Sequence, residues 1–101
     1  MRLTGKCKED FKKWLIGFGT GNILIPYNAL TSFPKSMQYG VYTDFFTHKG
    51  IRPSIIDKWP IYNIQFSLYE GDLIYVKFET ENLQEARTAA VKKANEIYNL
   101  N

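Results

Sequence analysis

One thiol, Cys7, one imidazole, His48, and ten carboxylates are the groups with which this 101-residue chain could do nucleophilic, acid-base or metal chemistry. A cysteine nucleophile needs a base beside it and an electropositive, partly exposed setting. Cys7 falls instead on the apolar stripe of an amphipathic segment, so it is expected as a small buried core residue. His48 falls in the last turn of a predicted helix, where a partly protonated imidazole complements the negative end of the helix dipole. Nothing local supplies it with a nucleophile and an orienting carboxylate. A single Cys and a single His make no Cys/His zinc cluster. Asp44, Asp57, Glu70, Asp72, Glu79 and Glu81 are scattered over turns, strand ends and a helix, without a paired spacing for general acid-base work. Glu79 and Glu81 border the start of the last helix, where negative charge is favourable. The run Gly17-Phe18-Gly19-Thr20-Gly21 invites a phosphate-loop reading, but a dinucleotide fingerprint follows a strand and opens a helix. Its third glycine would stand where Asn22 is, and the P-loop lysine is missing, so these glycines are expected to end a helix. No catalytic residue, cofactor or metal is therefore expected, and the chain reads as non-enzymatic.

Binding chemistry is better represented. Tyr62, Ile64, Phe66 and Leu68 alternate with Asn63, Gln65, Ser67 and Tyr69, and Ile74, Val76 and Phe78 alternate with Leu73, Tyr75, Lys77 and Glu79. The polar set Asn63, Gln65, Tyr69, Tyr75 and Lys77 combines amides, aromatic rings and a cation on the solvent side of a sheet, a surface that suits a macromolecule. A protein partner or self-association is the first expectation and nucleic acid the second. Charge is unevenly spread: residues 1–58 hold nine basic and four acidic side chains, net +5, and residues 59–101 hold four basic and six acidic, net −2. Lys6, Lys8, Lys12 and Lys13 share the polar side of the first helix with Glu9 and Asp10, a second surface open to acidic partners.

The elements that position these residues follow from periodicity. Cys7, Phe11, Trp14, Leu15 and Phe18 form one helical stripe, predicting a helix over 6–17. A loop rich in glycine and containing Pro26 runs on to Pro34. Met37, Val41, Tyr42, Phe45 and Phe46 predict a second helix, started near Pro34 and Ser36 and ended by Gly50; a strand over 41–46 is the alternative. A short strand over 51–56 is expected at a sheet edge, because Pro53 lacks the N–H that a central strand needs. A three-residue loop, Glu70-Gly71-Asp72, would set Leu68 against Ile74, Phe66 against Val76 and Ile64 against Phe78, keeping apolar residues on one face. Asn82, with Glu85 three residues on, has capping-box spacing. The helix it opens carries Leu83, Ala86, Ala90, Ala94 and Ile97 in one stripe, widened by Val91 and Tyr98.

The expected class is thus α+β: two N-terminal helices, a three-stranded antiparallel meander and a C-terminal helix packed on one sheet face. Composition agrees with one domain over 1–101, at 45% hydrophobic, 16% aromatic and 23% charged, which excludes a disordered chain. No signal-peptide core follows Arg2, Lys6 and Lys8, and no apolar run approaches the roughly 20 residues of a membrane span. A cytoplasmic protein without membrane association is expected, its single cysteine reduced.

Three resemblances add to this reading. Tyr75-Val76-Lys77-Phe78-Glu79-Thr80 running into Glu85-Ala86-Arg87-Thr88-Ala89-Ala90 resembles the last strand and helix of small three-strand-plus-helix DNA-binding domains of the AP2 and phage-integrase arm-binding type, which lay the sheet in the major groove. That resemblance implies Lys77, Tyr75 and Gln65 as contacting side chains. The helix-sheet-helix order is also similar to double-stranded RNA-binding domains, although Glu81, Asn82 and Glu85 stand where those carry a lysine cluster. A closer resemblance is to short uncharacterised prophage and mobile-element proteins of gut-type anaerobic bacteria. It rests on Ser36-Met37-Gln38-Tyr39-Gly40-Val41, Asp44-Phe45-Phe46 and Gly50-Ile51, and on Glu85 to Ala90 with Lys93-Ala94-Asn95-Glu96-Ile97-Tyr98-Asn99. It implies a phage-type accessory protein.

Overall fold

The computed structural model describes residues 2–17, 27–58, 61–68, 71 and 73–100. Along the chain come α1 (Gly5–Gly17), α2 (Tyr27–Leu30), α3 (Lys35–His48), β1 (Ile51–Lys58), β2 (Ile61–Leu68), β3 (Leu73–Thr80) and α4 (Leu83–Asn99). The class is α+β with a three-stranded antiparallel sheet in the order β1-β2-β3. The segment expected as a continuous loop before Pro34 contains the short helix α2, whose Leu30 is fully buried. The strand alternative over 41–46 is overturned: these residues are helical, and Gly50 ends the helix with φ +86, donating its N–H to the Thr47 carbonyl. Of the glycine run, Gly17 ends α1 and positions 18–21 lie outside the described residues.

Burial follows the stripes. Cys7, Phe11, Trp14 and Leu15 of α1 meet Val41, Tyr42, Phe45 and Phe46 of α3, over Ile51, Ile64 and Phe66 of the sheet. Phe45 is the hub, with ring centroids 5.2 Å from Phe11, 5.6 Å from Trp14, 5.3 Å from Phe46 and 5.7 Å from Tyr98. Such edge and tilted pairings add to the area term that drives burial. Ala86, Ala90 and Ala94 are fully buried, and α4 packs on all three strands while α3 packs on β1. Small side chains let this helix lie close to the sheet. Two expected stripe members stand outside the core: Met37 is 53% exposed and Leu83 36% exposed. Both sit in the first turns of their helices, beyond the residues that cover that face.

The hairpin between β2 and β3 keeps the expected faces but not the expected register. The pairs are Ser67 with Leu73, Phe66 with Ile74 and Ile64 with Val76, two positions off the sequence expectation. Gly71 explains the slip. It has φ +90, a left-handed conformation open to glycine, and donates its N–H to the Leu68 carbonyl at 2.9 Å, so the turn closes at Gly71. A slip of two leaves every side chain on its original face, which is why parity alone does not detect it. Beyond an irregularity between Tyr62 and Ile64, Tyr62 pairs with Thr80, as the expected register would have it.

Asn82 caps α4 as expected, accepting the Glu85 N–H on its side-chain oxygen at 3.1 Å. The second half of the capping box differs. The Glu85 carboxylate accepts from the Thr80 hydroxyl at 2.8 Å, and that hydroxyl oxygen accepts the Asn82 N–H at 3.1 Å. The β3–α4 junction is thereby fixed by a three-residue relay.

Candidate binding surfaces

In β1 and β2 the inward positions Ile51, Pro53, Ile64 and Phe66 are buried. The alternate positions Arg52 and Ser54 are exposed, and Asn63, Gln65 and Ser67 are half-buried. Register places Arg52 beside Ser67, Ser54 beside Gln65, and Gln65 beside Tyr75 of β3. One face of the sheet is thus apolar and lies under α3 and α4, while the other carries these polar residues together with half-buried Ile56, which pairs with Asn63. Of the five residues expected on that outer face, Asn63 and Gln65 are there. Tyr69 lies outside the described residues, as do the side chains of Tyr75 and Lys77.

Sequence reasoning missed Arg52, Ser54 and Ser67, although the alternation Ile51, Pro53, Ile55 against Arg52, Ser54 carries the signal. Arg52 and Ser67 also line a pocket of about 240 Å³ with Thr47, Gly50 and Leu68, at the turn from α3 into β1. Asn63 is the unusual member of the face. Its side-chain oxygen is buried and has no hydrogen-bond partner among the described residues. A buried acceptor left alone costs about 1–3 kcal/mol.

A second polar assembly joins the chain ends. Asn95, only 7% exposed on α4, accepts the Thr4 N–H at 2.9 Å and donates to the Thr4 hydroxyl at 3.0 Å. One turn on, Asn99 accepts the Cys7 N–H at 2.9 Å and donates to the Thr4 carbonyl at 3.0 Å. The first turn of α1 is therefore capped from another helix, since its own N–H groups lack intrahelical partners. Gly5 admits this approach: its φ is +63, and a Cβ there would stand 3.1 Å from the Asn99 amide nitrogen. The Tyr98 hydroxyl donates to Asp10 at 2.5 Å and closes the same contact between α4 and α1.

That bond, together with Lys6, Lys13 and Lys49, holds the Asp10 carboxyl below the usual carboxylate range. Burial, and then the Asp10 charge, push the Tyr98 hydroxyl up. Burial and the Asp10 charge also push the Cys7 thiol up to about 12. Cys7 is fully buried in the core, as the stripe implied. His48 sits exposed in the last turn of α3. Among the described residues no cluster of His, Cys, Asp and Glu could hold a metal ion, and no helix is long and apolar enough to cross a membrane.

Comparison with protein-family models, with curated proteins and with solved structures finds no match.

Proposed function

We propose that this chain is a non-enzymatic accessory protein of phage type, acting in the cytoplasm by binding a host or phage protein through the outer face of its sheet. The observation that carries this reading is the two-faced sheet. Its apolar side is covered by α3 and α4, and its polar side presents Arg52, Ser54, Asn63, Gln65 and Ser67, with Tyr75 in register beside Gln65.

The composition of the face favours protein over nucleic acid. Affinity for nucleic acid is dominated by phosphate contacts, and Arg52 is the cation among the described side chains of this face. Among the described side chains of the face, amides, hydroxyls and Arg52 make up the mixture of a protein interface, where Arg is enriched. Site-specific photocrosslinking in the producing cell tests the reading. A crosslinker at position 54 or 65 is expected to give a defined protein adduct, a second copy of the chain included, that is absent when the crosslinker is at position 35. Nucleic-acid adducts alone, or equal protein adducts from position 35, would overturn it.

A further inference from the structure

Near the start of α4 the helical side of the sheet is left partly uncovered. Phe78, late in β3, packs against the core yet stays half-buried, and the α4 residue that shares the gap with it is the small Ala89. The gap is a cavity of about 500 Å³, the size of a small-molecule site, lined also by Gln84, Glu85 and Lys92 of α4 and by Lys35, the first residue of α3. Its frame is held on two sides. One turn beyond Lys35, the Tyr39 ring lies 5.7 Å from the Arg87 guanidinium and joins α3 to α4. At the start of α4 the Glu85 carboxylate accepts from the Thr80 hydroxyl at 2.8 Å.

We propose that this cavity binds a small carboxylic acid with an aromatic body, its ring on Phe78 and its carboxylate at Lys35 and Lys92. The chemistry of the lining selects that ligand. Phe78 and Ala89 make an apolar floor, which the methylene stems of the two lysines extend, and an aromatic body gains ring pairing with Phe78 beyond its buried area. Neither lysine is ion-paired among the described residues. Against the two lysines stands the single carboxylate of Glu85, already engaged by Thr80, so the lining keeps a surplus of one positive charge. A monoanion balances that surplus, whereas a phosphate ester, at about −1.5 to −2, would leave negative charge beside Glu85. The Gln84 side-chain nitrogen is buried with no hydrogen-bond partner among the described residues, and an acceptor held in the cavity would supply one. The cavity lies on the helical side of the sheet, so this proposal does not rest on recognition through the polar face.

Hydrocinnamate is the probe, titrated into the isotope-labelled full chain and followed by the backbone amide resonances in NMR. A dissociation constant of about 1 mM is expected for a ligand of this size, with shifts concentrated at Lys35 and from Gln84 to Lys92. Hydrocinnamamide, the neutral analogue, is expected to bind about 10-fold more weakly, and acetate, which has the head without the ring, to give no saturable shift up to about 20 mM. Lys35→Gln and Lys92→Gln, at exposed positions, should each weaken hydrocinnamate about 3-fold and together about 10-fold. Lys13→Gln, the same charge change on α1, is expected to keep wild-type affinity. Ala89→Leu fills the floor and should abolish binding, with a thermal melt confirming that the variant is folded; the two lysine variants carry the test if it is not. The proposal is overturned by absence of saturable shifts up to about 20 mM hydrocinnamate, by shifts centred outside the cavity, by equal affinity for the amide, or by affinity that survives the double lysine variant.

Discussion

The asparagine clamp gives the sharpest quantitative expectation. Asn95→Ala removes two hydrogen bonds to Thr4, at 2.9 and 3.0 Å, from a side chain that is 7% exposed. At about 1 kcal/mol each, their loss costs about 2 kcal/mol. Alanine returns roughly 0.6 kcal/mol, because it is the better helix former in the interior of α4, so the net is about 1.4 kcal/mol. For a domain of this size each kcal/mol shifts the melting temperature by about 4–8 °C, and the expected drop is about 6–11 °C by circular dichroism. Asn99→Ala, which frees the Cys7 N–H and the Thr4 carbonyl, is expected to act similarly but less, since Asn99 is exposed. Both residues hold Thr4, so once the first turn of α1 has frayed the second substitution has less to remove. The double variant should therefore fall short of the sum by at least about 0.5 kcal/mol. A drop below about 2 °C for Asn95→Ala, or strict additivity of the pair, would refute the view that α4 caps α1.

Other parts of the structure make equally direct predictions. Phe45→Ala empties the centre of the aromatic cluster and should cost about 3–5 kcal/mol in urea unfolding, with a loss under 2 kcal/mol contradicting its place as hub. Asn63→Val removes an unsatisfied buried oxygen from a central strand and should raise the melting temperature, by about 4–8 °C for about 1 kcal/mol; a destabilised variant would show that the oxygen has a partner. Alkaline stability follows from Cys7 and Tyr98, whose protonated forms the fold holds beyond the pH at which the unfolded chain releases them. The folded state then binds more protons than the unfolded one, so stability is complete below pH 9 and falls as pH rises above it, from the thiol first and the phenol later. A melting temperature that is flat from about pH 8 to 10.5, or a decline that Cys7→Ala does not reduce, would contradict this.

What the sequence discloses is what depends on neighbours along the chain. The stripe Cys7, Phe11, Trp14, Leu15 and the alanines of α4 are local patterns whose period alone assigns helix and buried face, and all of them are in the core. Pro53 places β1 at an edge by its missing donor. The hairpin register needed one further fact, the left-handed Gly71, because pairings that differ by two satisfy the same alternation. Met37 and Leu83 have stripe spacing but lie where the facing layer ends, which periodicity does not encode. The clamp joins residues 91 and 95 apart, and its trace in the sequence is slight: Asn95 is a polar residue between Val91 and Tyr98 on an apolar stripe. Of the outer sheet face, Asn63 and Gln65 were legible from strand alternation, whereas Arg52 and Ser54 required knowing that the Pro-containing edge strand continues the same face.

The central claim is that the polar face of the sheet stands open as a recognition surface, and thiol reactivity of the free protein tests it most directly. Arg52→Cys and Ser54→Cys place thiols on that face, and native Cys7, buried and with its thiol pushed up to about 12, serves as the silent internal reference. At pH 8 the introduced thiols should react with an aromatic disulfide within about threefold of their rate in the urea-unfolded chain, while Cys7 reacts only on unfolding. Protection of positions 52 and 54 by tenfold or more would show the face covered in the free molecule and contradict the account.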